Sequence, residues 1–142
     1  MRGVLRVGAV LGLASTLLGC GIKGRNTRHP GDVTPGKSLV GGELGKVDAK
    51  AVSHTEGPFE VEPGCHFLVN RTRWARGDAT QGYLEMTLPE VEFAVIATPG
   101  NAYMLRVNVQ QTSTDRANFE IFVEELDAEG NVLEKITPGG NC

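Results

Sequence analysis

Leu105-Arg106-Val107-Asn108-Val109-Gln110 decides the fold. Apolar and polar residues alternate one for one along it, which is the period of an extended strand with one buried face. The alternation recurs upstream, where Val91, Phe93 and Val95 interleave with Glu92, Ala94 and Ile96. Downstream it returns as Phe119, Ile121 and Val123 against Glu120, Phe122 and Glu124. Turn signals separate the runs. Pro99-Gly100-Asn101 predicts a hairpin between the strands that flank it, and Glu129-Gly130-Asn131 leads into a last strand over 132–137. Pro63-Gly64 precedes a strand over 65–74, and Gly82 precedes one over 83–88. Residues 46–52 and 58–62 are weaker candidates. The pattern predicts an all-β domain of about seven strands, a small antiparallel β-sandwich or barrel, with no helix.

The start of the chain has a different character. Arg2 and Arg6 flank a short basic stretch, and residues 7–19 are uncharged and mostly apolar. A helix of that length rises about 20 Å, short of the roughly 30 Å of a bilayer core. It fits the apolar region of a cleaved export signal over residues 1–19. Residues 20–45 are rich in Gly and Pro and show no apolar period, so they read as a flexible tether. The folded domain is expected over 46–142, a size at which a core is adequate and a covalent staple helps.

Leu17-Leu18-Gly19-Cys20 resembles the bacterial lipoprotein signal, with a branched residue three before the Cys and a small residue just before it. The resemblance implies cleavage before Cys20, acylation of its thiol and of the new amine, and a lipid-anchored place in the cell envelope. With Gly21 in place of Asp, it favours the outer membrane where there are two membranes. Two acyl attachments are what stable anchoring needs. Further on, Glu60-Val-Glu-Pro-Gly-Cys-His-Phe-Leu-Val69 resembles the strand start of PEGA-type surface domains. The order of Tyr103-Met-Leu-Arg-Val107 and Asp127-Ala-Glu-Gly-Asn-Val132 is similar to that of small β-domain lipoproteins. These resemblances imply a β fold outside the cytoplasm and no particular activity.

Charge and cysteine content narrow the partners. Without residues 1–19 the chain carries 12 basic and 17 acidic side chains, a net of −5. That balance argues against a nucleic-acid partner. With Cys20 acylated, Cys65 and Cys142 remain, an even pair suited to a disulfide in an oxidising compartment. An unpaired Cys142 linking to another chain is the alternative.

No catalytic, metal or cofactor constellation emerges from the sequence. His66 adjoins Cys65, but strand neighbours point to opposite faces, and His29 and His54 stand apart. There is no Gly-x-Ser-x-Gly, and Glu90 with Glu92 reads as a solvated strand face. One segment stands out: Arg71, Arg73, Trp74 and Arg76 place three guanidinium groups around the only Trp. Arg and Trp are enriched at contact hot spots, and Arg pairs bidentately with phosphate and carboxylate. The strand is expected to leave the core near Arg71 and to display Trp74 beside a loop over 75–81. The expectation is a non-enzymatic envelope lipoprotein, an accessory or adaptor bound to the membrane and to an envelope protein. The alternative is a binding module for anionic glycan or lipopolysaccharide through the Arg/Trp segment.

Overall fold

A computed structural model describes residues 2–4, 6–7, 32–78 and 82–142. Cys20, the apolar stretch over 8–19 and residues 20–31 of the expected tether lie outside the described residues. The described chain is all β, with sheets packed face to face as a small sandwich and no closed barrel.

The longest ladder joins β11 (Ala102–Gln111) to β12 (Arg116–Leu126), ten antiparallel pairs from Ala102↔Leu126 to Gln111↔Ala117. These are the strands whose alternation was clearest. Tyr103 and Leu105 of β11 and Phe119, Ile121 and Val123 of β12 are buried on one face, as the period of two requires. β3 (Ser38–Gly42) pairs with β11 in parallel, and β6 (Phe59–Val61) borders β3. β13 (Val132–Ile136) flanks β12 through the expected turn, which Asp127 caps by accepting from the backbone N–H groups of Glu129 and Asn131. Short β1 (Arg2–Val4), which belongs to the segment expected to be cleaved, lies at the border beside the other end of β12.

The facing layer is a sheet ordered β10 (Glu92–Ala97), β7 (Gly64–Asn70), β4 (Leu44–Val47), β5 (Lys50–Ala51), joined by β8 (Arg73–Asp78) and β9 (Gly82–Thr87). β2 (Arg6–Val7) borders β9. Leu44, Leu68, Leu84, Met86, Phe93 and Val95 from this layer meet Val40, Tyr103, Leu105 and the β12 side chains in one core. A second, smaller cluster of Leu39, Ala102 and Leu126, with Val33 and Met104 against it, covers the other face of the first sheet.

Three expectations need correction. The domain begins before residue 46: Ser38, Leu39, Val40 and Leu44 are buried strand residues, so part of the expected tether is core. Gly41 and Gly42 are the corner at which the chain crosses from the first sheet to the second. Gly42 has φ +84°, and a Cβ there would lie 2.2 Å from the Leu105 carbonyl oxygen. Pro99-Gly100-Asn101 closes no hairpin. β10 pairs with β7 while β11 pairs with β12 and β3, so the turn joins the two layers. Its backbone groups go to the start of β3: Gly100 N–H donates to Lys37 O and Leu39 N–H to Asn101 O. Lastly, eleven strands rather than about seven run from Ser38 to Ile136: β3 lies in the expected tether, the run over 46–52 is the two strands β4 and β5, and the run over 65–74 breaks into β7 and β8 where the chain changes sheets.

Candidate functional site

The strand expected over 65–74 is interrupted near Arg71, and the chain re-enters the layer instead of leaving the sandwich. β7 ends at Asn70, and β8 begins at Arg73 in a ladder with β9. Asn70 makes the junction. Its side chain is buried, donates to the carbonyls of Arg71 and Pro89 at 2.9 Å, and accepts from Val91 N–H at 2.8 Å. A buried amide with three of its four hydrogen-bonding sites used fixes both the strand end and the loop that leads into β10. Gly45 allows β4 to pass close by, since a Cβ there would lie 2.8 Å from Asn70 O.

Around this junction lies a shallow cleft of about 420 Å³ lined by Gly45, Lys46, His54, Asn70, Arg71, Thr72, Arg73 and Glu90. Three cations face it, and each has a carboxylate partner. Arg71 Nε donates to Glu43, Lys46 Nζ to Glu90 at 2.7 Å, and Arg73 Nη2 to Glu85 at 2.9 Å. Arg73 is the most open of the three, with its side chain 83% exposed. An anionic ligand there would have to share or displace these carboxylates.

The structure therefore divides the Arg/Trp segment. Arg71 and Arg73 line the cleft together. Trp74 and Arg76 take the other face of β8, because strand neighbours alternate. Trp74 is half-buried and packs against the core, so the expected exposed Trp is corrected. The expected loop over 75–81 is strand as far as Asp78, held by pairing of β8 with β9. Arg76 is half-buried, and its Nε is enclosed without a hydrogen-bond partner among the described residues. Compared with protein-family models, with curated proteins and with solved structures, the chain matches none.

Cys65 and Cys142 form a disulfide, with Cα atoms 5.6 Å apart. It ties the C-terminal tail to β7. The tail also runs beside β10: Gly139 N–H donates to Glu92 O at 2.9 Å, and Ala94 N–H to Gly139 O at 3.4 Å. The neighbouring His66 is a structural side chain. Its Nδ1 lies 2.6 Å from Asp48 Oδ2 and its Nε2 2.5 Å from Glu62 O. Among the described residues no three His, Cys, Asp or Glu side chains converge as metal ligands would.

Sequence reasoning missed the carboxylates Glu43, Glu85 and Glu90 as partners of the cleft cations. Glu43 lies 28 positions from Arg71 and Glu90 44 from Lys46. Only the arrangement of strands brings them together, and no local motif marks it.

Proposed function

We propose that this chain is an exported lipoprotein, held in the cell envelope by acylated Cys20, whose β-sandwich is a non-enzymatic accessory or adaptor for another envelope component. The observation that carries the reading is the Cys65–Cys142 disulfide. Disulfides persist in oxidising compartments outside the cytoplasm, and this one leaves Cys20 as the remaining thiol of the three. The basic start, the apolar stretch and Leu17-Leu18-Gly19-Cys20 supply the matching address. With Gly at position 21, the outer membrane is the favoured destination in a two-membrane cell.

The test is metabolic labelling with an alkyne fatty acid. The wild-type protein takes up the label, and Cys20→Ser abolishes it and releases the domain from the membrane fraction. A Cys20→Ser protein that stays membrane-bound, beside a wild type that is never labelled, overturns the anchor.

A second reading, binding of an anionic glycan or lipopolysaccharide, draws on Lys46, Arg71 and Arg73 in one cleft. The carboxylate on each of them weighs against it, and so does the acidic balance of the domain. Binding of that kind fades with salt, whereas a protein interface with an apolar centre persists.

A further inference from the structure

Four large apolar side chains stand out in solvent among the described residues: Phe67 at 37% exposure, Ile96 at 65%, Val132 at 57% and Leu133 at 55%. Three of them lie near one end of the sandwich, with Ile96 on the outer face of β10 and Val132 and Leu133 on opposite faces of β13, so only an end-on approach brings them to one surface. Ile96 is the penultimate residue of β10 and faces Cys65, near the start of β7. Val132 opens β13 opposite Leu126, the last residue of β12, and Leu133 follows it. The start of β3 is at this end too. Leu39 pairs with Ala102, the first residue of β11, and Ser38 with Val61, the last of β6. The chain arriving from Cys20 therefore joins the sandwich at the end that bears these apolar side chains.

The covalent path from Cys20 limits how the domain meets a membrane. Twelve residues lead from Cys20 to Asp32. Fully stretched, that path spans about 40 Å. β11 alone, from Ala102 to Gln111, covers about 33 Å along the domain. Bringing the far end, at Thr112 and Ser113, to the bilayer would use almost the whole path running back along the sandwich. Bringing the near end to it requires no such stretch.

Resting on the anchor reading above, we propose that the end carrying Ile96, Val132 and Leu133 lies against the bilayer that holds Cys20, with these side chains in the boundary between headgroups and acyl chains. Three side chains are too little apolar surface to hold a free domain on lipid. The anchor makes the contact intramolecular, so a weak surface suffices. Positive charge on the described residues of this end plays no part in holding it. Glu129 and Glu134 are exposed at this end, and Lys37 is paired with Glu62. The contact therefore needs no anionic lipid and survives high salt.

The experiment places single indoles in the mature acylated protein, reconstituted in phosphatidylcholine vesicles brominated on the acyl chains near the headgroup. Trp74→Phe removes the native indole. Ile96→Trp, Val132→Trp and Leu133→Trp then each add one at the near end, and Thr112→Trp adds one at the far end. The three near-end indoles should be quenched several-fold more than the one at 112, equally in low and high salt. If acylated protein shows equal quenching at both ends, or none at the near end, the contact is wrong while the anchor stands. If the near-end indoles are shielded from aqueous iodide but untouched by brominated lipid, the chain itself or a second copy covers this end and the proposal fails. Protein whose mass carries no acyl chain overturns the anchor and the contact together.

Discussion

Asp48 lies at the tip of the turn between β4 and β5, with φ +49°, and its carboxylate ties that turn to β7, which pairs with β4. Oδ1 accepts from Phe67 N–H at 2.8 Å, and Oδ2 lies 2.6 Å from His66 Nδ1. Partial burial pushes its pKa up. The Phe67 N–H and the His66 ring outweigh that and hold it below the usual carboxylate value. An acid whose folded pKa lies below its unfolded one stabilises the fold while ionised. That contribution is present above the unfolded value, about pH 4, and is lost as pH falls through the folded one. Asp48→Asn should therefore melt below the wild type near neutral pH, with the gap closing in strong acid. Thermal melts of both proteins across the acid range check this. A gap that stays constant down to the lowest pH would show that the carboxylate charge contributes nothing. The same scale explains the reading of the cleft. Arg71 and Arg73 were legible as cations outside the core because a guanidinium group in a core needs a partner. Their carboxylates were not legible, since Glu43 and Glu85 lie 28 and 12 positions away and only the folded arrangement brings them in.

The strand elements were legible where the chain stays in one sheet and obscure where it changes sheets. β10, β11 and β12 each keep a period of two long enough to read, and each buries the face it predicts. β3 does not. Ser38, Leu39 and Val40 are buried in succession because both faces of that strand are covered, one by the core and one by the smaller Leu39 cluster. Two glycines then follow, which in a sequence look like a tether. The turn at Pro99-Gly100-Asn101 was read correctly as a bend, but a turn signature does not say which sheet the next strand joins. β8 was read as strand only to Trp74 and as loop from Ala75 on, because its ladder comes from β9 rather than from its own pattern. A comparison of two glycines tests the corner. Gly42 and Gly100 have φ +84° and +85°, so Ala at either takes on a left-handed backbone. That costs about 1–2 kcal/mol. Gly100 has open space around it, whereas at Gly42 the added Cβ would overlap Leu105 O and force the β3–β11 ladder apart. Gly100→Ala should lower stability by about 1 kcal/mol and Gly42→Ala by about 3 kcal/mol or more, as measured by urea unfolding. Equal losses would show that the corner has room and that only the backbone angle matters.

At the scale of the whole molecule, the two layers are joined at the core and again at the tail. β13 belongs to the first sheet, yet the residues after it cross to the second and lie along β10. β10 is the border strand of its sheet, and an uncovered border offers its backbone groups to other chains. Gly139 occupies part of that border, and the disulfide to Cys65 keeps the tail there. The link joins residues 77 apart. In the chain-entropy account a closed loop of that length is worth about 4.5 kcal/mol. A domain of this size is stable by about 5–15 kcal/mol in all, so the staple is a large share of the total. Cys142→Ser should therefore lower the urea midpoint strongly, and reducing the wild type should bring it to the same midpoint. Because the tail then comes away from β10, the variant should also self-associate at concentrations where the oxidised protein is monomeric, which sedimentation velocity measures. The agreement between variant and reduced wild type matters most, since it separates loss of the bond from damage done by the substitution. If oxidised wild type and Cys142→Ser unfold at one midpoint, the tail is not a staple, and the disulfide gives no reason for the domain to be made outside the cytoplasm.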